Sequence, residues 1–571
     1  MAQHMGESNS SAHHAGPSPA HRRGHRNVAG VGAHQRTNTY AELSQALFQS
    51  THSRAPSGGL PQFPDPYDEG GLDDDGDDPV YDASGHVDVD AAAGRVFWLA
   101  LLSRVLYLFL FVAMDALFPD YDTSPGLGID CTGAEQLLPL PGGSPGARGG
   151  VPLLSPGLEG LVVWDSVHFV SIAKCGYEFE NQHAFFPFVP LAMRLLHNTV
   201  LYPFAVVLGS IPAMVLGGLV LSALCFSAAA AVFYRLSVVM TADARLSATA
   251  ALMFVANPAG AHFSAAYGEA PFTLFSMLGI LLTMRSDDPR DHLLAALSFA
   301  GATLVRSNGV VNIGYLGWVG LTQMIARRRD AARVAVLGAQ TAALCAIAVA
   351  PFVLVQAHGY LTYCVDGKLD RPWCQASLPV LYSFVQSHYW ENGLFRFWTV
   401  GHVPNFITAA PVLLLSLLGI YSWTECSGSR TLTLGLASPD LWRQLPGNTP
   451  THLLRLPRHG QPTTVHSDSV AALLYSDAKE HAGDAPGGDI KVFAPFLDDR
   501  MSPFVIHWAF STAVSLLMMH VEVSTRFLCA LPVVYWCAAS MVRPWSTGVW
   551  AFFLAYCGVG AILFPNFYPW T

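Results

Sequence analysis

Apolar runs separated by polar loops make up most of the chain after a polar first stretch of 93 residues. A helix needs about 20 apolar residues to cross a bilayer. Because lipid cannot satisfy open backbone groups, apolar segments of this length must be helical. The pattern predicts an all-α polytopic membrane protein with about 11 transmembrane helices, within a range of about 9 to 12. The candidate spans are residues 95–117, 205–234, 244–260, 267–284, 291–306, 309–326, 334–356, 404–421, 503–521, 526–542 and 548–565.

The polar stretches divide the chain into four parts. Residues 1–93 offer little apolar surface to bury and are predicted to be a disordered acidic tail. The other parts are a membrane domain at 94–421 with large loops at 118–204 and 357–403, a polar insertion at 422–502 and C-terminal membrane helices at 503–571. We expect the two large loops to carry short amphipathic helices.

Arginine-rich short loops indicate the orientation, because such loops stay in the cytoplasm. With eleven spans, these loops all fall on the side of the N-terminal tail, which predicts that the tail and the insertion at 422–502 are cytosolic. The loops 118–204 and 357–403 then lie on the far side of the membrane. The arginines are Arg235 and Arg245, Arg285 and Arg290, Arg327, Arg328, Arg329 and Arg333, and Arg543.

Composition supports a membrane protein and excludes several other classes. The chain is 51% hydrophobic and 13% charged, whereas soluble domains have about 25% charged residues. The net charge is −10, and residues 1–93, with five arginines against thirteen acids, contribute −8 of it. Nothing in the chain resembles the basic stripe that neutralises phosphates, so we expect no nucleic-acid partner.

The first far-side loop contains a polar cluster in apolar surroundings, Trp164-Asp165-Ser166-Val167-His168-Phe169. Flanking apolar residues predict a short helix at the membrane surface, where Asp165 and His168 share one face. A partly desolvated carboxylate is a better base. A helix cap or a surface ion pair is the structural alternative for Asp165.

Further polar side chains are expected at the same face of the membrane. A carboxylate at the end of a span, such as Glu269, is costly unless it is paired or functional. Arg306 either holds a lipid-linked phosphate through a bidentate fork or extends to the interface as a snorkelling side chain. Their clustering predicts a site at the far-side interface, with binding candidates Trp164, His168, Glu269, Arg306, Asn308, Tyr389, His520 and Arg526.

The cysteine pattern favours disulfide chemistry over metal binding. Cys364 and Cys374 close a loop short enough for a disulfide, on the side predicted to be oxidising. The chain contains no Cys-x-x-Cys spacing, and its single His-x-x-x-His spacing, from His21 to His25, lies in the polar tail with no cysteine nearby, so no metal site is predicted. A glycine-rich phosphate loop is also absent from the sequence, which argues against a nucleotide-driven pump.

Several short blocks, in order, resemble the PIG-V family of GPI mannosyltransferases across residues 94–571. The blocks are the Trp164–Phe169 cluster, Ala184-Phe185-Phe186-Pro187, Arg306-Ser307-Asn308-Gly309, Tyr389-Trp390 with Asn392-Gly393, Pro404-Asn405-Phe406, and the segment from His520 to Phe527. Three features depart from the family pattern: the acidic tail, the insertion at 422–502, and Gly268 in place of a serine before Glu269. The tail and insertion leave partners and regulation open.

The resemblance implies a GT-C class glycosyltransferase of the endoplasmic reticulum membrane. Such an enzyme uses dolichyl-phosphate mannose at the luminal face and adds the second, α-1,6-linked mannose to the glycosylphosphatidylinositol precursor, with inversion. It implies Asp165 as the base, with Glu178, Glu180 and Glu269 as rival acids on the same side.

The same resemblance assigns roles to the other candidates. Arg306, Arg526 and His168 would hold the leaving phosphate, and Trp164 and Tyr389 would stack on sugars. No cofactor is expected, although the use of a divalent metal stays open. In some lineages the family works with a small membrane accessory subunit.

Other functions remain as alternatives. A GT-C transferase with another acceptor would share the same residues. A polytopic transporter would place charges near mid-membrane and often contains repeated broken helices. A non-catalytic scaffold subunit would tolerate the loss of Asp165.

Overall fold

The structure is a computed structural model that describes residues 87–121, 131, 159–365, 371–426, 433–436, 464–465 and 499–570. Most of the predicted tail at 1–93, most of the predicted insertion at 422–502 and part of the loop 118–204 lie outside the described residues. The prediction of disorder in the tail therefore remains a prediction.

The described residues are mainly helical. The helices are α1 (Val89–Leu117), α2 (Asp165–Cys175), α3 (Phe188–Asn198), α4 (Tyr202–Leu208), α5 (Ser210–Thr241), α6 (Ala244–Val255), α7 (Gly260–Ser264), α8 (Glu269–Arg285), α9 (Pro289–Val305), α10 (Ile313–Ala326), α11 (Ala331–Tyr363), α12 (Leu381–His388), α13 (Val403–Cys426), α14 (Ser502–Leu517), α15 (Ser524–Leu528), α16 (Pro532–Ser540) and α17 (Val542–Leu563).

Short 3₁₀ turns and one small strand pair complete the secondary structure of the described residues. The strands β1 (Val87–Asp88) and β2 (Thr464–Val465) pair antiparallel, with Val87 opposite Val465. The 3₁₀ turns are Glu159–Leu161, Glu180–Ala184, Ser307–Asn312, Pro372–Gln375, Val400–His402, Asp499–Met501 and Val521–Val523.

The all-α membrane architecture is confirmed, but the count of about eleven spans is not. Among the described residues, four helices are long and apolar enough to cross a membrane: α1, α5, α11 and α13 with its preceding turn. Two bent pairs, α3 with α4 and the segment Val521–Leu528 with α16, each turn by 83° and would raise the number to six. Three shorter apolar helices lie at Ala244–Val255, Ser502–Leu517 and Thr547–Leu563.

Each predicted span overlaps a helix, yet many of these helices are short. For example, α6 has 12 residues and α10 has 14. Apolar composition continues through the breaks, so hydropathy alone does not locate them. After α6, Pro258 lacks a backbone donor, and between α4 and α5, Gly209 adopts a φ of 93°, a conformation that favours glycine.

Helix α5 forms the centre of the bundle. It packs against α1, α6 and α8, and α8 packs in turn against α9. In the most apolar part of α5, 61% of residues are buried, against 6% in α11, so α11 presents most of its surface outward. Aromatic contacts fill the interior, with the rings of Phe226 and Phe254 stacked at 4.9 Å.

Two disulfides connect the segments predicted to lie on the far side. Cys364 bonds to Cys374, as the loop length predicts, and Cys131 bonds to Cys175 at the end of α2. The described cysteines in the helical bundle, Cys225, Cys345, Cys529, Cys537 and Cys557, are free. The disulfides are thus confined to the two large loops.

A close backbone approach at Gly309 provides a test of the packing. A Cβ atom there would overlap the backbone of Ala302 and Thr303 at the end of α9. We expect Gly309→Ala to destabilise the protein by roughly 1–3 kcal/mol, as overpacking does. Gly314→Ala is the matched control, because a Cβ atom at Gly314 would have no atom within 4 Å. Thermal denaturation in detergent measures both, and equal melting temperatures would contradict the packing.

Candidate active site

Asp165 is the first residue of α2, and a strained turn precedes it. The amide of Ser166 donates to the Val163 carbonyl at 3.1 Å, which closes a tight turn. Trp164 within this turn has φ 53° and ψ −123°, values typical of the second residue of a type II′ turn, where glycine is preferred. A larger residue in such a region costs about 1–3 kcal/mol. The turn directs the chain so that Asp165 stands at the helix N-terminus.

Tyr267, from a distant segment of the chain, forms hydrogen bonds that fix this turn. The Asp165 amide donates to the Tyr267 hydroxyl at 2.9 Å, and that hydroxyl donates to the Val163 carbonyl at 3.3 Å. The Tyr267 side chain is buried. A residue between α7 and α8 therefore fixes the backbone on both sides of Trp164.

Four charged side chains from four separate segments meet in one ion-pair network. The Arg526 Nη1 atom lies 2.8 Å from Asp165 Oδ2 and 3.6 Å from Glu269 Oε1. Arg306 also pairs with Glu269 through Oε1. The structure thus brings together four of the predicted site residues as two carboxylates and two guanidiniums. We refer to Asp165, Glu269, Arg306 and Arg526 as the ionic network.

The helix ends favour this charge arrangement. Asp165 begins α2 and Glu269 begins α8, and helix N-termini stabilise negative charge. Arg306 follows the last residue of α9, and helix C-termini stabilise positive charge. The local folds therefore place each of these three charges where the helix dipole supports it.

Exposure separates the two carboxylates. The Glu269 side chain is 3% exposed and that of Asp165 is 32% exposed. Glu269 is buried and contacts both arginines, whereas Asp165 contacts only Arg526 and remains accessible to solvent. Of these two acids, Asp165 is the one that a substrate hydroxyl can reach.

The charge state of Asp165 follows from opposing effects. Burial by itself raises the pKa of this carboxyl, but the charge and hydrogen bond of Arg526, with smaller effects from His168 and Arg306, outweigh it. The net pKa of Asp165 lies below its ordinary value of 3.8. Asp165 is therefore an ionised carboxylate at neutral pH.

Burial disfavours the charged form of His168. Burial lowers its pKa below the ordinary value of 6.5, and the nearby Asp165 charge only partly offsets this effect. Its ring stacks on Phe185 with centroids 4.5 Å apart. A lowered pKa favours the neutral imidazole, which can act as a hydrogen-bonding group. The role of His168 at the phosphate stays a prediction.

Tyr389 and His520 lie outside the ionic network. The Tyr389 hydroxyl donates to Glu180 Oε2 at 2.9 Å, and the Trp373 indole donates to Glu180 Oε1 at 2.7 Å. A ring nitrogen of His520 lies 2.6 Å from the Trp390 carbonyl oxygen. These contacts tie the second large loop to neighbouring segments.

Tyr389 is nevertheless connected to the site through aromatic contacts, because its ring centroid lies 6.3 Å from that of Trp390. The Trp390 ring lies edge-on to Phe185 with centroids 6.0 Å apart, and Phe185 stacks on His168. Trp164 is 43% exposed, and its ring centroid is 6.2 Å from that of Phe567. The exposed indole of Trp164 is thus available beside Asp165.

Three buried polar atoms without a hydrogen-bond partner lie close in sequence to the ionic network. In the described part of the chain, Ser166 Oγ, Asn308 Oδ1 and Ser524 Oγ are buried and have no hydrogen-bond partner. Each belongs to a residue within two positions of a network residue. A buried polar atom without a partner is costly, so a substrate hydroxyl or water entering here would satisfy them.

Sequence reasoning did not assign a role to Tyr267 or identify the position of Glu180. Tyr267 stands two residues before Glu269, so its nearness in sequence to a predicted site residue was the available signal. Glu180 is buried beneath Trp373 and Tyr389, which places it in a structural contact. Among the described residues, no group of three or more His, Cys, Asp or Glu is arranged to hold a metal ion.

Fold and site define a helical membrane protein whose acidic and basic side chains converge at helix ends. The chain belongs to the PIG-V mannosyltransferase family, since residues 94–571 match the family model described as "Mannosyltransferase (PIG-V)".

Relatives from distant organisms extend this similarity. A GPI mannosyltransferase 2 of Chaetomium globosum is 33% identical over 369 residues, covering 58% of this chain and 76% of the relative. The GPI alpha-1,6-mannosyltransferase 2 of Homo sapiens is 27% identical over 560 residues, covering 84% and 99%. That of Cricetulus griseus is 26% identical over 558 residues, covering 85% and 99%. No solved structure matches the chain.

The different burial of the two carboxylates generates a prediction. We expect Glu269→Gln to destabilise the protein by about 3 kcal/mol or more, because it leaves two arginines without their buried partner. Asp165→Asn should change stability much less, because its side chain is partly exposed and the amide oxygen still accepts from Arg526. Thermal melting of both purified variants in detergent measures the difference. A melting temperature for Glu269→Gln equal to that of Asp165→Asn would count against Glu269 as the buried anchor.

Proposed function

We propose that the protein transfers the second mannose, in α-1,6 linkage, from dolichyl-phosphate mannose to the GPI precursor at the luminal face of the endoplasmic reticulum membrane. The observation that carries the proposal is the ionic network, in which an accessible carboxylate pairs with one of two guanidiniums and a buried carboxylate pairs with both. Family membership supports GPI mannosyl transfer, and the names of the mammalian relatives support the α-1,6 linkage.

One displacement accounts for the reaction. The acceptor hydroxyl oxygen attacks the anomeric carbon of the mannose, and the bond from that carbon to the phosphate oxygen breaks. Asp165 takes the hydroxyl proton as general base, and dolichyl phosphate leaves with the bonding electron pair. A β-linked donor then yields an α-linked product, which is inversion.

Arg526 and Arg306 suit the leaving group. A departing phosphate gains negative charge, which guanidiniums stabilise through charge-assisted, often bidentate hydrogen bonds. Both side chains keep some exposure, at 18% for Arg526 and 24% for Arg306, so a phosphate can reach them. The neutral form of His168 would hydrogen-bond to the sugar.

Donor binding would also strengthen the base. In the absence of donor, Arg526 lowers the pKa of Asp165, which makes the carboxylate a weak proton acceptor. A phosphate that draws the Arg526 guanidinium toward itself weakens that hydrogen bond and raises the pKa of Asp165. Proton removal from the acceptor would then accompany departure of the phosphate.

The remaining side chains suit recognition of sugars. The exposed Trp164 indole can stack on a sugar face, and the unpartnered Asn308 Oδ1 can accept a hydrogen bond from a sugar hydroxyl. Tyr389 and His520 border the site from the second loop. Glu180 makes a poorer base than Asp165, since it is buried and its oxygens accept from Trp373 and Tyr389.

The disulfides support a luminal position for the two large loops. Disulfides persist in the oxidising lumen and are rare in the cytosol, and both disulfides lie in these loops. The N-terminal tail would then be cytosolic. A small membrane accessory subunit remains part of the proposal because of the family resemblance.

Complementation tests the activity together with the base. Wild-type protein expressed in cells lacking the second GPI mannosyltransferase should restore surface GPI-anchored proteins. Asp165→Asn should lower transfer by about 10²–10⁴-fold, the usual contribution of a general base, and the one-mannose intermediate should accumulate. Radiolabelled lipid intermediates and flow cytometry provide the readouts.

The rival acid Glu178 provides the control for that experiment. Glu178→Gln should transfer mannose normally at matched protein level. Normal transfer by Asp165→Asn, or loss of transfer in Glu178→Gln with Asp165→Asn active, would exclude Asp165 as the base. If the wild-type protein inserts into the membrane but does not restore GPI-anchored proteins, even when it is co-expressed with the accessory subunit, the acceptor assignment is contradicted.

Glycosylation mapping tests the topology. An N-glycosylation acceptor inserted within residues 118–160 should be glycosylated, because we place that loop in the lumen, and one inserted within 430–490 should not. Sensitivity of the gel mobility to endoglycosidase H measures the modification. The reverse pattern would invert the proposed orientation.

A further inference from the structure

Arg104 is a buried arginine near the middle of the first long apolar helix. It lies at the sixteenth of the 29 residues of α1, and it is 1% exposed. A charged side chain at the centre of a spanning helix is costly and usually functional. Among the described residues, no carboxylate forms an ion pair with Arg104, so its charge is accommodated in another way.

The guanidinium of Arg104 donates to three oxygens of one neighbouring segment. Its Nη1 atom donates to the Gly260 carbonyl and to Ser264 Oγ, both at 3.0 Å, and its Nη2 atom donates to the Val255 carbonyl at 3.1 Å. The guanidinium also lies over the Phe226 ring, 4.2 Å from its centroid. Cation–π contact and carbonyl dipoles together replace the missing carboxylate.

These oxygens belong to a break between two helices. Val255 is the last residue of α6, and Gly260 is the first residue of α7. With 12 residues, α6 is about 18 Å long, shorter than the hydrocarbon core of about 30 Å. Its last carbonyls have no partners within the helix, and lipid offers none. Arg104 supplies donors at this end.

The same segment continues directly into the site. Tyr267 follows the end of α7 by three residues and accepts from the Asp165 amide. Two residues further, Glu269 pairs with both arginines of the ionic network. The position of residues 256–268 therefore determines where the Asp165 backbone and the Glu269 carboxylate lie.

We propose that Arg104 is a positioning residue for the active site: by clamping the helix break at Val255–Gly260 it sets the position of Tyr267 and Glu269, and through them the orientation of Asp165. It contacts neither substrate nor reacting atoms. The activity readout below rests on the proposed mannosyl transfer, whereas the contacts themselves do not.

The clamp requires a guanidinium and not merely a positive charge. The three acceptors are contacted by two different nitrogens of one planar group, which a single ammonium cannot reproduce. Lysine at this position would keep the charge but lose part of the donor set. Arg104→Lys is therefore expected to fail in restoring activity.

The test compares Arg104→Met and Arg104→Lys, purified as the folded monodisperse fraction of the full chain and assayed with dolichyl-phosphate mannose and the one-mannose GPI precursor. We expect kcat to fall about 10- to 100-fold, the effect of a small misplacement of catalytic groups. KM for each lipid should change less than about threefold. Arg235→Met is the matched control, since Arg235 makes an exposed ion pair with Asp90, and its kinetics should equal those of wild type.

A double-mutant cycle separates positioning from general stability. Tyr267→Phe removes the hydroxyl that joins the segment to Asp165, so adding Arg104→Met to it should lower kcat little further. Additive losses, as for independent sites, or full kcat in either Arg104 variant, would overturn the proposal.

A milder variant covers the case in which the Arg104 variants do not fold. Ser264→Ala removes one of the three acceptors of Arg104. It should lower kcat about threefold, because one hydrogen bond is lost. Its effect should not add to that of Tyr267→Phe. Wild-type kcat for Ser264→Ala would then overturn the proposal. If the wild-type protein itself transfers no mannose, the result would instead contradict the proposed function and leave the Arg104 contacts unaffected.

Discussion

The ion pairs of Glu269 with Arg306 and Arg526 bring together segments that are far apart in sequence. A carboxylate buried to this degree would be costly alone, and two guanidiniums around it leave one excess positive charge. Asp165, which pairs with Arg526, balances that charge and makes the network neutral. In the proposed reaction, an incoming donor phosphate would compete with Asp165 for Arg526, so donor binding would release the carboxylate.

The helix that carries Asp165 is fixed at both ends. At its start, Tyr267 holds the turn in which Trp164 adopts a positive φ. At its end, Cys175 is disulfide-bonded to Cys131, and Arg194 donates to the carbonyls of Ala173 and Lys174, both at 2.8 Å. A helix of 11 residues held in this way keeps a strained turn that a free surface helix would relax. The restraint makes Asp165 a preorganised group.

The sequence was sufficient to predict the membrane class, the helical fold and the one-sided clustering of polar residues, because hydropathy and charge reveal them directly. It singled out all four members of the ionic network, because Glu269, Arg306 and Arg526 lie at the ends of predicted spans and Asp165 lies among apolar residues in the first large loop. Their pairing could not be predicted: Asp165 and Arg526 are separated by 361 residues. Tyr389 and His520 share the predicted face, yet their hydrogen bonds lie elsewhere, because a common face does not imply contact.

Hydropathy did not locate the helix breaks, for a physical reason that also concerns Arg104. Hydropathy measures the side chains of a segment, whereas a break depends on which donors meet its open carbonyls, and these come from distant helices. An arginine in an apolar helix therefore has two interpretations from sequence alone, as a cost of insertion or as a cap for another helix. The structure supports the second interpretation, a cap for another helix, for Arg104. Arg194 makes the corresponding contact at the end of α2. In both cases a guanidinium stabilises the C-terminus of a helix next to the site. Arg104 does so for α6, which precedes Tyr267 and Glu269, and Arg194 does so for α2, which carries Asp165.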